Sequence, residues 1–390
     1  MIKETVRKIE PEIYLVYRRL HENPEPGMEE YETSRFLRRR IEAGNLADEL
    51  LAVGETGLLA VLRGKRRDGA VLLRGDMDAL RIQEDEGHDP RSRREGLMHA
   101  CGHDAHAAML FGALLVLGEY RDSLETDIYF YFQPGEELLV GAELLLDSGL
   151  VPWESVGAVA AAHIIPDLYA GEVGLTTGPM LAGADHFTVV VQGRGGHGAH
   201  PHTTVDPVVA AASIIMALQT LTAREVSALD TAVVSVCSVH SDGRALNVIP
   251  DRVTLGGTIR TLLPETRSFL RERFPALVES AAAVHRAEAQ VEYEEGPPPF
   301  VNDQALAIRA IRVLGELLGP DSVKTEGVVT MGAEDFAYIR ARRPGIFMRV
   351  GCRTPGSAFT PIHSGRLTVD RAALATGTTA LAGVALDFTR

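Results

Sequence analysis

The sequence is poor in cysteine, in positive charge and in long apolar runs, and each shortage closes off a class of protein. Cys101, Cys237 and Cys352 are the only thiols in 390 residues, too few and too scattered for a disulfide framework. Lys and Arg number 39 against 53 Asp and Glu, a formal net charge of -14 with histidine neutral. That balance argues against a nucleic-acid partner, which needs clustered basic surface. No segment reaches the ~18–20 uninterrupted apolar residues of a spanning helix, so no membrane partner is expected. The opening MIKETVRKIEPEIY is charged and amphipathic, without the apolar core of a signal peptide. Also missing are a G-x-S-x-G elbow and a GxxxxGKS/T loop. GRGG at 193–196 follows a strand and reads as a turn. With 45% hydrophobic and 24% charged residues, the composition is that of an ordinary soluble protein, expected in the cytoplasm and long enough for two cores.

What the chain does have is thirteen unevenly placed histidines on a pattern of alternating elements. Apolar spacing predicts a helix over 3–20 and an arginine-rich one over 29–43. Short apolar segments at 58–62, 70–74, 127–132 and 156–163 read as buried strands, with helical stretches at 104–120 and 143–150 between them. Strands alternating with helices predict an α/β sheet with helices on its faces. From about residue 180 the pattern changes. HFTVVVQG (186–193) alternates like a half-exposed strand, and helices near 206–221 and 264–287 mix with strands at 231–240, 251–260 and 290–295. GPPP at 296–299 punctuates this part, and the first pattern resumes with IFMRVG (346–351) and a helix from about Asp370. A small α+β domain therefore interrupts a larger one.

In an open α/β sheet, ligands bind beyond the carboxyl ends of the strands. Here those ends carry Asp76 and Asp78, then Glu136 and Glu137, then His163, and His363 after a last loop. A fifth cluster, His99-Ala100-Cys101-Gly102-His103-Asp104, opens the helix at 104–120. Singly, each has a plainer reading: His163 a satisfied polar residue, Cys101 a small buried hydrophobe, the glutamates solvated charge, the aspartates turn caps. Jointly they point to a divalent-metal site of thiolate, imidazole and carboxylate. Neighbouring glutamates diverge, so one can ligate while the other faces a metal-activated water and returns its proton to a leaving amine. Cys237 and Cys352 lie in strand-like contexts and read as buried thiols.

The chain resembles the amidohydrolase branch of the M20 metallopeptidase family, the aminoacylase-like, hippurate-hydrolase-like and auxin-conjugate-hydrolase-like enzymes. The resemblance is carried by RRLHENPEPGMEEYETSRFL (18–37), RGDMDAL (74–80), MHACGHDAHAAML (98–110), QPGEE (133–137), AAHIIPDL (161–168), GGHGAHPHTTVDPVVAAASII (195–215), LNVIPDRVTLGGTIRT (246–261), MGAEDFAY (331–338) and IHS (362–364). These span nearly the whole chain in family order, and MHACGHD with QPGEE is a specific pair. The resemblance implies a catalytic α/β domain with a mixed sheet flanked by helices, residues 1–180 and 297–390, and an inserted lid and dimerisation domain, 181–296. It implies two divalent ions, zinc, manganese, cobalt or nickel, on Cys101, His103, Glu137, His163 and His363, with Cys101 at the bridging position. Glu136 falls on the general acid/base position, and Asp76 and Asp78 on supports beside the ligands. His197, Asn247 and Arg260 match positions that reach the substrate: His197 and Asn247 suit an oxyanion, Arg260 a carboxylate.

The implied activity is hydrolysis of the amide bond of a small N-acyl amino acid by a homodimer or larger homo-oligomer, with His197 often supplied by the neighbouring subunit. A dipeptidase or carboxypeptidase, and a non-catalytic metal-bound binding protein, are the alternatives. Arg81 stands where the family usually has proline, and QEDEGHDPRSRREG (83–96) is unusually charged.

Overall fold

The computed structural model describes residues 1–66 and 68–389; Arg67 and Arg390, both inside the segments expected to form the catalytic domain, lie outside them. The described chain forms two compact units. One comprises Met1–Met180, Asn302–Val329 and Asp335–Arg390, and the other Leu181–Val301 with Thr330–Glu334.

In the first unit, α1 (Ile2–His21) and α2 (Tyr31–Ala43) precede β1 (Glu49–Val53), β2 (Gly57–Leu62) and β3 (Ala70–Asp76). Then come α3 (His103–Gly118), β4 (Asp127–Gln133), β5 (Val156–Tyr169) and β6 (Val173–Gly174). With strands Gly345–Arg353 and Val323–Lys324 they form an eight-stranded mixed sheet, ordered β1-β2-β4-β3-β5, then 345–353, β6 and 323–324. β3 is parallel to both β4 and β5, and β5 to 345–353, whereas β1, β2 and β4 pair antiparallel. Every residue of β2, β3 and β4 is buried, which is why LLAVL, AVLL and IYFYF are unbroken apolar runs rather than alternating ones. α3 is apolar on nearly all sides and buried along almost its whole length, as the central helix of a core must be. It packs against α1 and the C-terminal helix Arg371–Phe388. A Cβ on Gly377 would lie 1.8 Å from Met109 Sδ, so glycine is what lets those two helices approach. β5 runs past His163 to Tyr169, because the ladder with 345–353 continues through His163, Ile164 and Ile165.

The second unit is a four-stranded antiparallel sheet, ordered 232–241, 252–261, 183–192 and 288–294. Helices Pro207–Thr220 and Pro264–Val284 pack against it. Phe187, Val189 and Val191 are buried while His186, Thr188, Val190 and Gln192 are not, the alternation of a one-sided sheet. One expectation is corrected here: Cys237 is exposed. It sits on the edge strand, at a bulge between Val236 and Ser238 that leaves it without a cross-strand partner. Cys352, on a central strand of the first unit, is buried as expected.

Candidate metal centre

Four segments of the first unit converge at one edge of its sheet. The turn into α3 carries Cys101, and α3 opens with His103, on either side of Gly102, whose φ is 85°. A Cβ there would stand 2.4 Å from Ile164, so only glycine makes this turn against β5. β4 leads through Pro134 and Gly135 to Glu136 and Glu137, and the Glu137 amide donates to Asp78 Oδ2 at 3.0 Å. β5 supplies His163. His363, at φ 58°, follows strand 345–353 and donates its amide to the Ala100 carbonyl at 2.7 Å.

The donor atoms fall into overlapping groups. Cys101 lies with His103 and His163, and again with Glu137 and His363, while His103 also groups with Glu136 and Glu137. Cys101 Sγ is 3.4 Å from His163 Nε2 and 3.3 Å from His363 Nε2. Glu137 Oε1 is 3.2 Å from His363 Nε2 and 3.9 Å from His103 Nε2. Ligands about 2.0–2.3 Å from a tetrahedral ion stand roughly 3.3–3.7 Å from one another. His103 Nε2 and Glu137 Oε1 are both buried and make no hydrogen bond, the condition a ligand atom meets when a cation is its partner.

The opposite nitrogens are tied back. His103 Nδ1 meets Asp78 Oδ1 at 2.9 Å, and His163 Nδ1 donates to the Ile164 carbonyl at 2.6 Å, leaving each Nε2 facing inward. Asp76 meets His106 Nδ1 at 2.6 Å, and His106 Nε2 accepts the Ile164 amide at 2.8 Å. Asp78 thus stands behind His103 and the Ile164 carbonyl behind His163, while Asp76 holds His106, unassigned in the sequence, and keeps its Oδ2 3.7 Å from His103 Nε2.

Burial pushes the Cys101 thiol up to about 12 and holds His163 well below the usual imidazole range, hence neutral. At His103 burial would also remove the proton, but Asp76, Cys101 and Asp78 outweigh it and raise the imidazole well above its usual range. The surplus of anionic donors around His103 calls for positive charge. A bound divalent ion supplies it and lets the thiol ionise.

Glu136 is buried, its Oε2 3.8 Å from His103 Nε2, beside the donor group. Under it lies a network that sequence reasoning did not single out. Arg74, 1% exposed, donates to Gln133 at 2.9 Å, Asp76 at 2.6 Å and Asp335 at 3.1 Å. Arg74 and Asp335 belong to the RGDMDAL and MGAEDFAY motifs, which were the available signal. A fully buried guanidinium survives only with such partners, and here it fixes the ends of β3 and β4.

Within the second unit, His197 and Asn247 come together. His197 pairs with Val248, and the Gly198 amide donates to the Asn247 carbonyl at 2.8 Å. Arg260 is not with them. The His197 turn joins the Arg252 end of strand 252–261 through the Gly195 amide on Asp251, 2.7 Å away. Arg260 lies eight residues further along that strand, roughly 26 Å at ~3.3 Å per residue.

Residues 72–387 match Peptidase family M20/M25/M40. The chain is 38% identical over 377 residues to an IAA-amino acid hydrolase (ILR1-like 2) of Arabidopsis thaliana, covering 96% of this chain and 84% of that one. It is 38% identical over 345 residues to an N-acetyl-L-cysteine deacetylase of Bacillus subtilis, covering 88% and 81%. Among solved structures, a dinuclear metal-binding peptidase of the M20 family from Bacillus subtilis superposes with a TM-score of 0.84, at 31% identity and 98% coverage of both chains. The motif order, the mixed sheet and these matches agree: the chain belongs to peptidase family M20/M25/M40.

Proposed function

We propose that this protein is a divalent-metal-dependent amidohydrolase that removes the acyl group from N-acyl amino acids. The observation that carries the reading is Cys101 Sγ shared between two donor groups, beside two buried donor atoms that make no hydrogen bond. Cys101, His103, Glu137, His163 and His363 would hold two ions, with Cys101 between them. Bound there, the ions supply Lewis acidity toward the amide carbonyl and toward the attacking water. Glu136 takes a proton from that water and delivers it to the departing amine nitrogen. Asp78 and the Ile164 carbonyl keep the imidazoles in the ligating tautomer. His197 and Asn247 donate to the developing oxyanion, and Arg260 forks onto the amino-acid carboxylate. A thiol in the centre fits a reducing compartment, the cytoplasm.

The relatives support this substrate class, one being an N-acetyl-L-cysteine deacetylase and another an IAA-amino acid hydrolase. A dipeptide presents the same amide and terminal carboxylate, so dipeptidase or carboxypeptidase activity is the competing reading. The test offers N-acetyl and N-benzoyl amino acids beside free dipeptides, each with zinc, manganese and cobalt. Faster turnover of the acylated substrates is expected; faster dipeptide turnover with every metal would reverse the order.

The same proposal includes a homodimer in which His197 serves the partner's site. The His197 turn joins one end of strand 252–261 and Arg260 lies near the other, too far apart to touch one small substrate from a single chain. Strand 232–241 is a sheet edge with Val233 and Val239 exposed, and helix Pro207–Thr220 exposes Val208, Val209 and Met216. Mixing inactive His197→Ala and Glu136→Ala proteins through a dissociation step should restore activity. Random pairing leaves one intact site in every mixed dimer, about a quarter of wild-type activity at equal ratio. No recovery at any ratio would place His197 in its own subunit's site.

A further inference from the structure

The charged segment 83–96 has no part in the chemistry described above, yet its Glu84 is buried and joined to α1 and, through α1's last residue, to α3. Glu84 Oε1 meets His21 Nε2 at 2.9 Å and His88 Nδ1 at 2.8 Å, and Oε2 accepts the Ser92 amide. His21, the last residue of α1, turns its Nδ1 to Asp104 Oδ2 at 2.7 Å. Asp104 follows His103 in α3. The next residue on the other side, Asp85, donates its amide to the Gly365 carbonyl at 2.9 Å, two residues past His363. Residues 84 and 85 thus link the two ligand-bearing segments, Glu84 through His21 to Asp104 and the Asp85 amide to Gly365.

We infer that Glu84, His21 and Asp104 form a buried hydrogen-bonded triad that positions the two ligand-bearing loops against each other, so that the 83–96 segment governs how firmly the metals are held. The inference rests on the ligand assignment proposed above. Two features support it. Burial would discharge His21, but hydrogen bonds to Asp104 and Glu84 outweigh that and raise it to about 10, so the link is ionic as well as hydrogen-bonded. The spacing here is also that of hydrogen bonds, 2.7–2.9 Å, whereas the donors of the metal centre stand 3.2–3.9 Å apart. His21, Glu84 and His88 are therefore a network and not another ion site. His21, Glu84 and Asp104 are positioning residues: none belongs to the donor groups of the centre, and they act through the loops.

The test follows zinc release from the loaded, full-length enzyme into excess chelator, for wild type, His21→Gln and Glu84→Gln. Release at least ten-fold faster in both variants is expected, with turnover regained in excess zinc. A residue that only stabilises the fold would lower the melting temperature and leave release unchanged. Wild-type release rates in these variants overturn the inference, whatever the melting temperature. His88→Gln, which touches the triad from its partly exposed side, is the milder variant should the others fail to fold. Faster release is expected there too, and a wild-type rate would overturn the inference. So would a further zinc equivalent in the wild type that His88→Gln removes. A wild type holding no zinc would sink the ligand assignment itself; two equivalents with unchanged release would sink only the triad.

Discussion

Replacing Glu136 by alanine is expected to lower kcat by about 10²–10⁴-fold while the metal content stays at two equivalents. Both halves matter. Glu136 and Glu137 are adjacent, yet their environments differ: Glu137 Oε1 lies buried among His363 and His103 without a hydrogen bond, and Glu136 lies beside His103, its Oε2 3.8 Å from Nε2. If Glu136 moves protons and does not ligate, removing it leaves the donor set intact. Glu136→Gln keeps the shape and removes the basicity, so it should be nearly as slow as alanine. Loss of metal in Glu136→Ala would move that residue into the ligand set, and surviving hydrolysis would remove its proposed role altogether.

Changing Cys101 is the second large effect. Its Sγ belongs to both donor groups that contain a histidine from β5 or from the 363 loop, so one truncation weakens two positions at once. Cys101→Ala should reduce bound metal to at most one equivalent and cut kcat/KM by more than about 100-fold, beyond the cost usual for outer supporting groups. Cys101→Asp is the informative companion, because a carboxylate can reach two ions where a hydroxyl cannot replace a thiolate. Recovery of the second equivalent in Cys101→Asp, measured by metal analysis, is expected. Two equivalents in Cys101→Ala would show that the thiol is not shared.

Much of the fold was legible because the buried strands are written as apolar runs. LLAVL, AVLLR and DIYFYF sit within β2, β3 and β4, and the change to alternation at HFTVVVQG marks a sheet with one exposed face. The pattern did not yield β1, whose ELLAV is mostly half-exposed at the sheet edge, nor the helix Gln304–Leu318. Cys237 was misread because a strand's apolar sequence does not reveal that it lies at an edge and bulges.

At the site, the residue types and their positions after strands were enough to bring Cys101, His103, Glu137, His163 and His363 under consideration together. The division of labour between the two glutamates came from the resemblance, since adjacent carboxylates carry no label. Partnerships across long separations were not legible at all. Arg74 reaches Asp335 and His21 reaches Glu84 and Asp104 only once the sheet and helices have formed. No periodicity records those pairings. The separation of His197 from Arg260 along strand 252–261 was hidden for the same reason: the sequence places both residues near strand ends but does not say which end faces which turn.

The most direct measurement strips bound metal from the wild-type enzyme and follows hydrolysis of an N-acetyl amino acid as zinc or manganese is returned in measured equivalents. The expected result is no turnover in the stripped protein and activity that rises until two equivalents are bound. Hydrolysis that persists undiminished after stripping, or a fully metal-loaded enzyme that leaves N-acyl amino acids intact, would contradict the account.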